Sequence, residues 1–187
     1  MLIFIHGFNS SGNSDKASRL RHEFPDMQVL TPTCPFAPDA AITALCSQIE
    51  NTLEPGKNVT VVGSSLGGFY ACYLAHRYKL PSVLINPLVD QTVLRREIGP
   101  QRNYYTDEQY EWTQNHCNQL DDMVVEPVTL AIKPLLLLDA GDELLDSHMA
   151  ASHFGDLAET HLFAGGSHRF EHMNEAISIM RSYIESL

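Results

Sequence analysis

The sequence is short of basic residues, of long apolar runs and of paired cysteines, and each shortage removes a class of function. Lys and Arg together number 12 against 23 Asp and Glu, a formal net charge of −11 at neutral pH. The cations that are present (Lys16, Arg19 and Arg21, then Arg95 and Arg96) build no basic stripe. Such a chain repels phosphate backbones, so nucleic acid is not an expected partner. The most apolar stretch, Leu135 to Leu138, is closed off by Lys133 and Asp139, far short of the roughly 20 residues that a membrane span requires. No membrane partner is expected either. Leu2 to Ile5 runs at once into His6-Gly7, where a secretory leader would need a basic start and about 7–15 apolar residues. Cys34, Cys46, Cys72 and Cys117 are scattered without a C-x-x-C pair. A zinc ribbon, a redox motif and a disulfide framework therefore lack support, and the thiols read as reduced, in a cytoplasm.

What is present is an ordinary globular composition, 187 residues with 44% hydrophobic and 19% charged, which suits a single domain over 1–187. Short apolar runs recur at Leu2–Ile5, Val29–Leu30, Val59–Val62, Ser82–Ile85, Leu135–Leu138 and Thr160–Phe163, each followed by a longer helical pattern. Strands that alternate with helices imply a mostly parallel six-stranded sheet covered on both faces, an α/β class with three α/β/α layers. Helices are expected near 13–24, 39–53, 66–79, 146–154 and 170–186, with Ser14 or Asp15, and Asp39 after Pro38, as caps. Between Pro87 and Pro134 the pattern turns polar and aromatic, with Tyr104, Tyr105, Tyr110 and Trp112. That stretch reads as a small cap-like insertion at about 90–130, helical from about Asp107 to Leu120.

Val59-Thr60-Val61-Val62-Gly63-Ser64-Ser65-Leu66-Gly67-Gly68 places G-x-S-x-G between a buried strand and a helix, the context a nucleophile elbow requires. Gly63 and Gly67 remove the Cβ atoms that would collide where helix crosses strand, and the helix start aims free N–H groups at whatever bonds to Ser65. A serine hydroxyl is a poor nucleophile without a base. His168, in the glycine-rich loop Gly165-Gly166-Ser167-His168 after the last strand, lies on the same sheet edge as Ser65. His22, His76, His148, His153 and His161 read as surface or packed histidines, and His6 as an organiser of the loop that follows it. Asp142, in the turn after the fifth strand, completes the order Ser, Asp, His, with Asp139, Glu143, Asp146 and Asp90 as rivals. The Leu66 amide and one from the loop after the first strand, that of Phe8, suit an oxyanion.

A competing motif is His168-Arg169-Phe170-Glu171-His172, which matches H-x-x-E-H, a pattern that places two zinc ligands and a glutamate on one helix. The glycines before His168 and the 15 residues after His172 disfavour a metal-dependent hydrolase built on His168, Glu171 and His172. A non-catalytic binding module is the other alternative.

His6-Gly7-Phe8-Asn9-Ser10-Ser11, Gly63 to Gly68, Asn86-Pro87, Gly141-Asp142-Glu143 and Gly166-Ser167-His168 together resemble the α/β-hydrolase superfamily along nearly the whole chain. The Ile85-Asn86-Pro87 and Tyr104-Tyr105-Thr106 segments look like the small bacterial YqiA/YcfP-type esterases. The resemblance implies hydrolysis of small carboxylic esters or thioesters, with Ser65, Asp142 and His168 matching the triad and no metal or organic cofactor. Asn9, Asn86, Tyr105 and Trp112 are the expected substrate contacts. The strand carrying His6-Gly7 begins at Leu2, without the two antiparallel strands that usually precede it. The expectation is thus a reduced fold with a sheet edge to be covered by helix, charge or the second copy of a homodimer.

Overall fold

Apolar runs separated by helices can satisfy their backbones only by pairing side by side, and the computed structural model, which describes residues 1–53 and 58–187, shows them doing so. The strands are β1 (Leu2–Ile5), β2 (Val29–Leu30), β3 (Thr60–Ser64), β4 (Ser82–Ile85), β5 (Gly99–Arg102), β6 (Gln109–Trp112), β7 (Leu135–Asp139) and β8 (Glu159–Phe163). Six of them form one sheet in the order β2-β1-β3-β4-β7-β8, with every neighbouring pair parallel. The helices are α1 (Asp15–Glu23), α2 (Pro38–Glu50), α3 (Leu66–Tyr78), α4 (Gln114–Asp121), α5 (Ser147–Phe154) and α6 (Met173–Glu185).

Alternate residues of each strand feed opposite layers. Ile3 and Ile5 pack with Leu45 and Ile49 of α2 and Phe69 and Leu74 of α3, whereas Leu2 and Phe4 pack with Leu20 of α1 and Met180 of α6. The central strands β1, β3, β4 and β7 are buried throughout, which is why they read as unbroken apolar runs. The edges differ: β2 is only two residues long and β8 has exposed positions, the short and polar edges that discourage further pairing. Among the described residues no helix is long and apolar enough to cross a membrane.

Two local expectations need correction. Asp39 does not cap α2; Ala37 does, with Pro38 at the first helical position and Asp39 in the first turn. The larger correction concerns 107–112, which is not helical. Gln109–Trp112 pairs antiparallel with Gly99–Arg102, Gly99 opposite Trp112 and Arg102 opposite Gln109. Along β6 exposure alternates from Gln109 to the buried Trp112, a period of two that Tyr and Trp suit. Of the expected 107–120 helix only the part within α4 is helical, and it starts after Thr113, whose side chain and that of His116 form a reciprocal capping box.

Trp112 is 0% exposed and its indole N–H donates to the Leu94 carbonyl at 3.0 Å. Trp112→Ala should lower the unfolding free energy by about 3–5 kcal/mol, and Trp112→Phe, which keeps most of the packing, by clearly less. Urea titration followed by circular dichroism reads both.

Candidate active site

The site starts from a backbone crossing. A Cβ on Gly63 would lie 2.0 Å from the Gly67 carbonyl oxygen, and a Cβ on Gly67 would lie 2.0 Å from that of Ile5. Only glycine lets α3 approach β1 and β3 so closely. Between them Ser65 adopts φ +57 and ψ −123, a region unfavourable to a residue with a side chain. Its backbone is held there on both sides: its N–H donates to Ile85 O at 3.1 Å, and its carbonyl accepts from Gly68 at 2.9 Å and Leu88 at 3.0 Å. The hydroxyl is left at the carboxyl edge of the sheet.

His168 Nε2 stands 3.0 Å from Ser65 Oγ. Its other ring nitrogen, Nδ1, lies 2.9 Å from Asp142 Oδ2 and 3.1 Å from Oδ1. An ionised carboxylate only accepts, so the shared proton belongs on Nδ1, which leaves the Nε2 lone pair facing the serine hydroxyl. The Asp142 side chain is 2% exposed and that of His168 19%. Burial pushes the Asp142 carboxyl up, but the hydrogen bond from His168, those from the Leu145 and Leu144 amides and the imidazole's charge together outweigh it. The net effect holds the group below the usual carboxylate range.

The rivals of Asp142 have other partners. Asp90 accepts from Thr92 and Asp146 caps α5 through His148 and Met149. Glu143 accepts from the His168 backbone N–H at 3.0 Å. Asp139, fully buried, binds His172 Nδ1 at 2.7 Å and accepts from the Glu171 and Ser167 amides at 2.7 and 3.2 Å. His172 also stacks on Phe163 with ring centroids 4.9 Å apart. A second Asp–His pair thus anchors the loop that presents His168, and sequence reasoning missed it. Its one signal was an aspartate ending the otherwise apolar Leu135–Asp139 strand.

This geometry corrects the metal alternative. Residues 168–172 form a turn and α6 begins only at Met173, so His168 and His172 do not share a helical face. Each instead turns its Nδ1 to a different carboxylate.

The loop after β1 closes the other side. His6 Nδ1 pairs with the Gly7 carbonyl at 2.9 Å and Nε2 accepts from Cys34 N–H at 2.9 Å. Burial lowers the His6 pKa and the Gly7 hydrogen bond raises it, with burial dominant. Among the described residues the Phe8 and Leu66 amides donate to no protein acceptor. Around Ser65 and His168 lies a cleft of about 370 Å³, walled in part by Phe8, Lys16, Tyr104, Tyr105 and Arg169.

Of the four expected substrate contacts, Tyr105 lies on this cleft and is 50% exposed. Asn9 also lines it, whereas Asn86 and Trp112 are corrected. The Asn9 amide is occupied, donating to Gln101 Oε1 at 2.9 Å and accepting from Tyr110 OH at 2.5 Å. Asn86 is buried behind the loop, where it donates to Ser167 O at 3.0 Å and accepts from Asp139 N–H at 2.8 Å. Trp112 is enclosed and packs edge-on against Phe8, centroids 5.0 Å apart. The insertion therefore grips the Phe8 loop, with Asn103 adding a bond to Ser10 O at 2.8 Å.

The family model described as "Uncharacterised protein family (UPF0227)" matches residues 1–185. A UPF0227 protein of Serratia proteamaculans (strain 568) is 23% identical over 187 residues, 98% of each chain. Among solved structures, Est1E of Butyrivibrio proteoclasticus with ferulic acid bound superposes with a TM-score of 0.77 at 11% identity, covering 99% of this chain and 88% of that one. Monoacylglycerol lipase of Paleococcus ferrophilus gives 0.76 at 15% identity, covering 99% and 93%. Mouse alpha/beta hydrolase domain-containing protein 10 gives 0.75 at 16%, covering 99% and 89%. The fold is that of the α/β-hydrolases, three-layered around a parallel six-stranded sheet.

Two predictions follow from the loop geometry. Asp139→Ala strands the His172 ring and the Ser167 and Glu171 amides, so unfolding free energy should fall by about 3–5 kcal/mol. Asp142 is depressed in the folded state, so its ionisation stabilises the fold above the unfolded carboxylate value, and this is lost as pH falls through the folded value. The stability gap between the parent protein and Asp142→Asn should therefore be widest near neutrality and close in acid; urea midpoints across pH measure it.

Proposed function

The chain belongs to the UPF0227 family, and from its own residues we propose that it is a serine hydrolase cleaving small carboxylic esters or thioesters through an acyl-enzyme on Ser65. The observation that carries this reading is the 3.0 Å approach of His168 Nε2 to a hydroxyl on a strained strand-to-helix turn. The esterase and lipase named among the structural neighbours support it.

Ser65 Oγ attacks the acyl carbonyl as His168 Nε2 takes its proton. Negative charge then develops on the carbonyl oxygen, where the Phe8 and Leu66 amides and the positive end of α3 receive it; removing one such donor costs about 2.7–4 kcal/mol in a comparable site. His168 returns the proton to the departing oxygen or sulfur as the acyl bond to it breaks. Water, deprotonated by the same nitrogen, then releases the acid and restores Ser65. Asp142 keeps the imidazole in the Nδ1–H tautomer and offsets the charge it gains. No metal or organic cofactor enters the cycle.

With 4-nitrophenyl esters of short acids, Ser65→Ala and His168→Ala should lower kcat at least about thousandfold and Asp142→Asn by about 10³–10⁴. Asp90→Asn, whose carboxylate bonds to Thr92 and not to His168, should behave like the parent. Ser65→Ala retaining full turnover that a chelator abolishes would contradict the proposal.

A further inference from the structure

Two of the chain's 12 basic residues stand in the wall of the Ser65 cleft: Lys16, in the first turn of α1, and Arg169, the neighbour of His168. Their placement is unusual for a protein with a net charge of −11. Arg19, Arg95, Arg102 and Arg181 each pair with a carboxylate. Among the described residues neither Lys16 nor Arg169 forms an ion pair. Asp15 shares the cleft wall with them but bonds to neither.

Lys16 is half-buried and Arg169 exposed. Burial lowers the Lys16 pKa most, and Arg169 lowers it further, while Asp15, Asp139 and Asp142 raise it. The dominant effect is the burial of an ammonium that has no ion-pair partner, a cost that an anion bound from the cleft would offset.

The position of the pair assigns the part of the substrate concerned. Arg169 follows His168 directly in the chain, and Lys16 shares the cleft wall with both; besides its neighbour Asp15, the charges that act on Lys16 are those of Arg169, Asp139 and Asp142, on the His168 side of the site. The leaving atom must lie there, since it collects its proton from Nε2. Tyr104 and Tyr105, 80% and 50% exposed on the same cleft, add aromatic surface.

We propose that the substrate is an ester or thioester whose leaving portion carries a carboxylate or phosphate, bound between Lys16 and Arg169 while its acyl carbonyl meets Ser65. This specificity rests on the serine-hydrolase reading above. The products are the free acid and an anionic alcohol or thiol, with one water consumed.

The test compares three acetyl esters of matched shape: 4-acetoxybenzoate, 4-acetoxyphenyl phosphate and the neutral 4-acetoxybenzamide. Each kcat/KM is divided by the ester's rate with hydroxide, which removes intrinsic reactivity. The parent protein should favour at least one anionic ester about tenfold or more, and Lys16→Met and Arg169→Gln should each cut that preference about tenfold. The anion showing the larger preference identifies the group recognised. A preference near unity in the parent, or one untouched by both substitutions, overturns the proposal. Calorimetric binding of phenyl phosphate and benzoate to Ser65→Ala needs no nucleophile, and Lys16→Met in that background should weaken the tighter of the two about tenfold. Unchanged binding there defeats the anion site even if Ser65 is the nucleophile. Weakened binding with turnover independent of Ser65 would keep the anion site and defeat the hydrolase reading.

Discussion

Everything at the catalytic edge depends on how closely α3 crosses β1 and β3. With 2.0 Å between a would-be Cβ on Gly63 and the Gly67 carbonyl oxygen, and the same at Gly67 against Ile5, no larger residue fits at either position. The contact forces the chain to turn within one residue, and that residue is Ser65 at φ +57. The strain is sustained because the Ser65 backbone is bonded to Ile85, Gly68 and Leu88, so it cannot relax without breaking the sheet edge. The same turn puts the first free amide of α3 beside the hydroxyl.

The second half of the site is supplied by loops that are less constrained and must be tied down. Three carboxylates in one short stretch divide the work: Asp142 holds the His168 ring, Glu143 its backbone and Asp139 the turn beyond it. Asn86, at the end of β4, joins that turn to β7. On the opposite side the β5–β6 hairpin does for the Phe8 loop what Asp139 does for the His168 loop, through Gln101, Asn103, Tyr110 and Trp112. An aromatic insertion that resembles a substrate cap is thus largely a brace, with Tyr104 and Tyr105 left over to face the cleft.

The four central sheet strands were legible because a strand buried on both faces has no choice but to be apolar, the edge strands β2 and β8 because short β-branched or Leu-containing runs precede a helical pattern, and the elbow because its glycines are sterically required. The hairpin was not. Gly99-Pro100-Gln101-Arg102 carries no strand pattern, and β6 is recognisable only once β5 lies beside it. Residue types at Asn9, Asn86 and Trp112 were read as polar and aromatic groups suited to substrate. Their partners lie far along the chain, at Gln101 and Tyr110, Ser167 and Asp139, and Leu94. Such roles are set by tertiary placement that spacing does not encode. Lys16 and Arg169 were invisible for the same reason, since only the fold puts the start of α1 beside the His168 turn.

The most direct measurement is reaction of the protein with a fluorophosphonate, followed by peptide mapping in a mass spectrometer. A single phosphonyl adduct on Ser65, lost in His168→Ala because no base remains to take the proton, is the predicted outcome. An unlabelled Ser65 in the folded protein, or labelling that proceeds equally without His168, would contradict the account.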